Sequence, residues 1–193
     1  DHVLDPAPTQ YDRRVRYVRY DVSEYLIPGA NVVGIVLGNG WYNCHTPEVW
    51  HFDKASWRDY PKALFQLDID GVNTVVSDLS WRSATGPIVF DGLRNGETYD
   101  ARLELGDWLS PSYDDSSWKE VKGLVAPGGV LEEQTMPPCK VMETVNAAER
   151  HTVSKSEVFD FGHCLSGWCR VRGKGERGTS LRIVYGERLT QPE

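Results

Sequence analysis

Ala63-Leu64-Phe65-Gln66-Leu67-Asp68-Ile69-Asp70-Gly71-Val72-Asn73-Thr74-Val75-Val76-Ser77 is the stretch that decides the fold class. Two runs rich in β-branched and aromatic residues, Ala63–Ile69 and Asn73–Ser77, flank Asp70-Gly71. Asp and Gly tolerate the positive φ that a tight turn between twisted antiparallel strands demands, so the stretch predicts a β-hairpin.

Neighbouring segments carry the same signal. Arg14–Val22 mixes β-branched and aromatic residues with charges, close to the alternation of a half-buried strand. Ser23-Glu24-Tyr25-Leu26 allows at most one helical turn before the Pro28-Gly29 breaker. Asn31–Leu37 is a short, almost continuous apolar run, as expected of a strand buried on both faces, and it stops at Gly38-Asn39-Gly40. Pro87–Phe90 and Tyr99–Leu105 are two more strand candidates, and no segment sustains a helical period over three turns. The reading is all-β, an antiparallel β-sandwich.

Gly123, Pro127, Gly128, Gly129, Pro137 and Pro138 punctuate the chain and suggest a division into residues 1–130 and 131–193. The second part holds strand candidates at Val141–Val145, Glu157–Phe161, Gly167–Val171 and Leu181–Tyr185. It is too short for a core of its own, so it packs on the first part or begins a second β-domain. The chain opens on Asp1-His2-Val3-Leu4 and closes directly on an apparent strand, and both ends read as cut.

A chain of 193 residues is long enough to bury a core without staples. Its hydrophobic content of 40% speaks against disorder, and no apolar run is long enough to span a membrane. With 21 basic and 28 acidic residues the net charge is −7, unsuited to a phosphate backbone, so neither nucleic acid nor membrane is expected as a partner. Cys44, Cys139, Cys164 and Cys169 follow neither a disulfide scaffold nor a zinc spacing, even with His45 and His163 beside them, and read as buried free thiols.

Seven Trp and nine Tyr shift attention to sugars. A ring covers the flat C–H face of a pyranose while amides and carboxylates grip its hydroxyls. Asn39-Gly40-Trp41-Tyr42-Asn43 and Trp50-His51-Phe52-Asp53 offer both kinds of group on loops, and Arg94–Asp100 adds more. Trp41 serves equally as a plug for the end of a core. A hydrolase would need two carboxyls across a cleft; Asp91, Glu97, Asp100, Asp114 and Asp115 are available but unpatterned. Asp114-Asp115-Ser116-Ser117-Trp118 reads better as a turn anchored by its tryptophan. Asp91, Asn95, Glu97 and Asp100 carry hard oxygen donors suited to calcium.

Several phrases occur in an order that resembles the N-terminal β-sandwich region of bacterial α-L-rhamnosidases, glycoside hydrolase family 78. They are Val3-Leu4-Asp5-Pro6, Tyr11–Val15, Tyr20-Asp21-Val22, Leu37–Tyr42, Thr85–Ile88 and Asn95–Arg102. Phe159–Gly162, Gly167-Trp168 and Tyr185-Gly186-Glu187 are similar to the start of the family's next β-domain. The resemblance implies a jelly-roll, galactose-binding-like sandwich lacking its first strands, and a catalytic helical barrel situated elsewhere. It implies no catalytic residue in this chain, a rhamnose-containing glycan and the rest of the parent enzyme as partners, and a secreted or periplasmic bacterial protein, with a cytoplasmic one as the alternative. Through the related carbohydrate-binding module family 67, which binds terminal L-rhamnose with calcium assistance, it implies contacts at Asn39, Trp41, Asn95 and Glu97. The loop clusters read above add Tyr42 and Trp50 as sugar-binding candidates, and the oxygen donors leave Asn95, Glu97 and Asp100 as calcium candidates. Asn39 stands where relatives more often carry an acid, and Asn43–Asp59 looks inserted. A purely structural scaffold is the competing expectation.

Overall fold

The computed structural model describes residues 2–47 and 49–187. The chain forms two compact units, Asp1–Lys140 and Val141–Glu193. The first holds β1 (Arg14–Tyr17), β2 (Gln66–Ile69), β3 (Val72–Val76), β4 (Arg82–Ser83), β5 (Ile88–Gly92), β6 (Gly96–Tyr99), β7 (Lys119–Glu120) and β8 (Val130–Glu133). The second holds β9 (Glu149–Val153) and β10 (Ser156–Asp160). Helical structure among the described residues is confined to three single 3-10 turns, at Ser23–Tyr25, Phe52–Lys54 and Ala101–Leu103. The chain is all-β.

β2 and β3 form the expected antiparallel hairpin. Asp70 and Gly71 both take positive φ, 52° and 78°, the pair of left-handed residues that lets a two-residue turn follow the strand twist. β5 and β6 form a second hairpin closed by Leu93-Arg94-Asn95, with the Asn95 amide donating to the Gly92 carbonyl at 3.1 Å. The strand expected over Tyr99–Leu105 ends at Tyr99, because Asp100 accepts a hydrogen bond from the Arg102 amide and starts a 3-10 turn.

One pairing departs from the antiparallel expectation: β1 runs parallel to β8, Arg14 opposite Val130 and Tyr17 opposite Glu133. A basic strand meets an acidic one here. Arg14 and Arg16 reach the Glu132 carboxylate at 3.7 and 4.0 Å, and Arg19 reaches Glu133 at 3.6 Å. Exposed pairs of this kind contribute at most about 1 kcal/mol each, so they select the partner more than they stabilise it. β8 straddles the division suggested after residue 130, and its ladder with β1 keeps residues 130–133 in the first unit.

Asn31–Leu37 is a larger correction. The run expected to be a doubly buried strand belongs to no ladder, and Val36 is 75% exposed. The core expected from chain length is also missing: among the described residues Cys44 is the one buried hydrophobic residue and Asn43 the one buried polar residue. Four cysteines are free as expected, but Cys139 and Cys164 are exposed rather than buried.

In the second unit β9 and β10 pair antiparallel, Glu157 opposite Thr152 and Phe159 opposite Arg150. Arg150 Nε donates to Glu157 Oε2 at 2.7 Å, and its guanidinium lies 5.5 Å from the Phe159 ring. Val141–Val145, Gly167–Val171 and Leu181–Tyr185 form no strands, lacking a ladder partner among the described residues.

Candidate functional site

The loop after Asn31–Leu37 is tied to β5 through Asn39 and Asp91. The Asn39 amide donates to Asp91 Oδ2 at 2.8 Å, and its side-chain amide donates to Asp91 Oδ1 and to the Asp91 carbonyl at 3.4 Å. Asn39 Oδ1 in turn accepts from Asn43 Nδ2 at 2.6 Å, and Asn43 Oδ1 accepts from Arg58 Nη1 at 3.0 Å. A polar chain therefore runs Asp91, Asn39, Asn43, Arg58, each link holding the next side chain in one orientation.

At its far end opens a hollow of about 400 Å³ lined by Asn39, Asn43, His45, Arg58, Asp59 and Tyr60. Tyr60 is 77% exposed and presents a free ring. The His45 ring packs edge-on against Phe90 at 5.7 Å. Asp59 is kept ionised by the Lys62 ammonium, which donates to Oδ2 at 2.7 Å, and by the Tyr60 amide, so its pKa lies below the usual carboxylate value. The lining combines a guanidinium, a carboxylate, an imidazole, amides and an aromatic face, a set suited to a polyol.

A second hollow of about 290 Å³ is lined by Pro8, Thr9, Tyr11, Trp41, Phe52 and Trp57. Trp41 meets Phe52 edge-on at 5.2 Å and Trp50 at 6.3 Å, and Phe52 continues the cluster to Trp57.

The expected sugar contacts are thus distributed. Asn39 lines the polar hollow and Trp41 the aromatic one. The Tyr42 hydroxyl is buried, and its ring packs on Tyr11 at 5.0 Å. Trp50 is 54% exposed, with the Arg94 guanidinium 4.2 Å over its ring. Asn95 lies in the β5–β6 turn and Glu97 on β6 opposite Asp91, and neither lines either of these two hollows. Of the other lining residues, Asn43 lies in the Asn39–Asn43 loop cluster and His45 beside Cys44, whereas Arg58, Asp59 and Tyr60 fall in no motif of the sequence. Their signal was the consecutive Arg58-Asp59-Tyr60, which joins Asn39 only through the fold.

The donors Asn95, Glu97 and Asp100 do not suit calcium as they stand. Both Asp100 oxygens are engaged by Arg102, at 2.8 Å to Nε and 2.5 Å to Nη2, and among the described residues no three His, Cys, Asp or Glu side chains converge. The carboxylates that their surroundings shift (Asp21, Asp59, Asp78, Asp100, Asp114, Glu157) all shift downward, the opposite of what a protonated acid catalyst requires. Asp114 acts as the expected turn residue, accepting from the Ser116 amide at 3.0 Å, and Trp118 packs on Tyr113.

Hydrogen bonds from the Arg102 side chain and then from its amide hold the Asp100 pKa down to about 2. A depressed carboxylate favours the folded form above its unfolded pKa, near 3.9, and loses that contribution as pH falls through about 2. The clasp is therefore expected to stay closed at pH 4 and to open toward pH 2, read from the Asp100 carboxyl ¹³C shift. A midpoint near 4 would refute it.

Residues 1–143 match the model of the α-L-rhamnosidase N-terminal domain. The chain belongs to the bacterial α-L-rhamnosidases. Residues 150–193 match the family's concanavalin-like domain. An α-L-rhamnosidase of Formosa agariphila is 38% identical over 98% of this chain, and one of Streptomyces avermitilis 36% identical over 96%. The chain spans only 21% and 18% of those two relatives. Among solved structures, the α-L-rhamnosidase from Dictyoglumus thermophilum superimposes with a TM-score of 0.72 at 35% identity, covering 84% of this chain and 18% of that one. The Streptomyces avermitilis enzyme, complexed with L-rhamnose, gives a TM-score of 0.62 at 29% identity, with 78% and 15% covered.

Proposed function

We propose that this rhamnosidase chain is a non-catalytic accessory region that binds or positions rhamnose-containing glycans for a catalytic barrel located elsewhere in the parent enzyme. The observation that carries this reading is the polar hollow, where Arg58, Asp59, His45 and the exposed Tyr60 ring surround about 400 Å³ on a hydrogen-bonded frame. Tyr60 covers the C–H face of the sugar, while Arg58 donates to its hydroxyls and Asp59 accepts from them. Trp41 and Trp50 contribute a neighbouring apolar wall for the rest of the glycan. A rhamnose-processing bacterium exports such an enzyme to the periplasm or beyond; among the described residues no helix is long and apolar enough to cross a membrane.

Calorimetric titration with L-rhamnose, with and without calcium, tests the reading. Saturable binding at millimolar sugar is expected, independent of calcium. Arg58→Ala and Tyr60→Ala are each expected to weaken it roughly tenfold, the loss of about 1.4 kcal/mol. A flat titration favours the alternative of a scaffold that buttresses the barrel and binds nothing. The scaffold reading draws on the exposed apolar residues of the first unit.

A further inference from the structure

The rings around the second hollow form a box rather than a stack. Trp41 meets Phe52 at 80°, Phe52 meets Trp57 at 42° and Trp57 meets Tyr11 at 57°, with centroids 5.2 to 6.2 Å apart. All four rings are partly buried. Mutually inclined rings leave no parallel slot for a planar aromatic group; they surround a compact, rounded one. The volume of about 290 Å³ is at the small end of ligand sites, and among the described residues no charged side chain lines it.

Charge decides between a neutral occupant and a cation. An aromatic face attracts positive charge through its quadrupole. This cluster already does so at two flanks. The Arg94 guanidinium lies 4.2 Å over Trp50, which packs on Trp41, and Lys62 Nζ lies 5.8 Å from the centre of Tyr42, which packs on Tyr11. Trp41 and Tyr11 are both walls of the hollow. Asp53 follows Phe52 in the Phe52–Lys54 turn, and its Oδ1 is buried with no hydrogen-bond partner among the described residues. A carboxylate oxygen so placed is costly unless a positive charge compensates it. Trp57 Nε1 is a buried donor that likewise lacks an acceptor among the described residues.

We infer that the hollow bounded by Tyr11, Trp41, Phe52 and Trp57 binds a small quaternary ammonium compound that carries an oxygen acceptor, of the choline type. The methylated ammonium sits against the ring faces, Asp53 supplies the counter-charge, and the Trp57 indole N–H donates to the ligand oxygen. A primary ammonium carries three N–H donors that a wall of rings leaves unsatisfied; a fully methylated one carries none. Sugar binding at Arg58 is not required for this site, whose lining shares no residue with the polar hollow.

Titration of the full chain with choline chloride at constant ionic strength, followed by tryptophan fluorescence, is the test. A saturable response is expected, with a dissociation constant on the order of 1 mM. The neutral isostere 3,3-dimethyl-1-butanol, which has the same shape without the charge, is expected to bind roughly tenfold more weakly. Asp53→Asn is expected to weaken choline binding roughly fivefold and to leave the isostere unaffected. Equal affinity for choline and the isostere would overturn the inference, because apolar contact alone would then account for binding. Unchanged choline affinity in Asp53→Asn, or no saturable response to choline, would overturn it as well. So would displacement of choline by L-rhamnose, which would assign the rings to the sugar. Rhamnose titration of the Arg58→Ala variant reads the polar hollow separately, so neither site's failure decides the other.

Discussion

Gly129→Ala is expected to open the β1–β8 ladder. The added Cβ would stand 2.5 Å from the Arg14 amide nitrogen and the Tyr11 carbonyl oxygen, and 2.8 Å from the Arg13 carbonyl carbon. All three are backbone atoms, so no side-chain rotation relieves the overlap, and the strands must separate. The adjoining Val130 amide donates to the Arg13 carbonyl at 2.9 Å, and the Gln134 amide to the Tyr17 carbonyl at 2.9 Å. Overpacking a fitted site costs typically 1–3 kcal/mol; a wholly main-chain clash puts this variant at about 3 kcal/mol. Loss of exchange protection at Val130 and Gln134, with a matching drop in the urea midpoint, checks the expectation. Intact protection would mean that the backbone yields without cost, contrary to the packing described.

Asp91→Ala is expected to loosen the polar hollow from a distance. Its carboxylate receives both the main-chain and side-chain amides of Asn39, and Asn39 orders Asn43, which orders Arg58. Truncation leaves partly buried donors unpartnered, costing about 2 kcal/mol. Rhamnose affinity, if seated at Arg58, should fall with it, although Asp91 does not line the hollow. Asp91→Asn separates charge from connectivity: its amide oxygen still accepts one Asn39 donor, so an intermediate loss is expected. Stability and Arg58 side-chain nitrogen shifts, measured on both variants, read the two effects separately. Equal stability of the alanine variant and the parent would remove Asp91 from the frame.

The two variants differ in how readable their sites are from sequence. The Asp114 turn and the Asp70-Gly71 hairpin are local: their hydrogen bonds and dihedrals involve residues adjacent in the chain, so residue type alone announces them. The β9–β10 hairpin turns through Ser154 at a φ of 56° without a glycine, and its first strand, Glu149-Arg150-His151-Thr152-Val153, carries no apolar alternation. Gly129 reads as a loop glycine in sequence; its close contact with Arg13 and Arg14 exists only once β8 lies beside β1.

Sequence alone determined the all-β class, the Asp70-Gly71 and Asp114 turns, the family through an ordered set of phrases, and the concentration of rings and amides on the loops after Leu37. Each of these is written in short-range pattern, where side-chain period and permitted φ act within a few residues. Only the tertiary structure decided that β1 pairs parallel with β8 and that Asn31–Leu37 stands bare. It also decided that Arg58-Asp59-Tyr60 folds back onto Asn39 while Asn95 and Glu97 remain outside the hollow. Those outcomes depend on loop closure between distant segments, and on polar groups whose partners are chosen by proximity in space rather than by spacing along the chain.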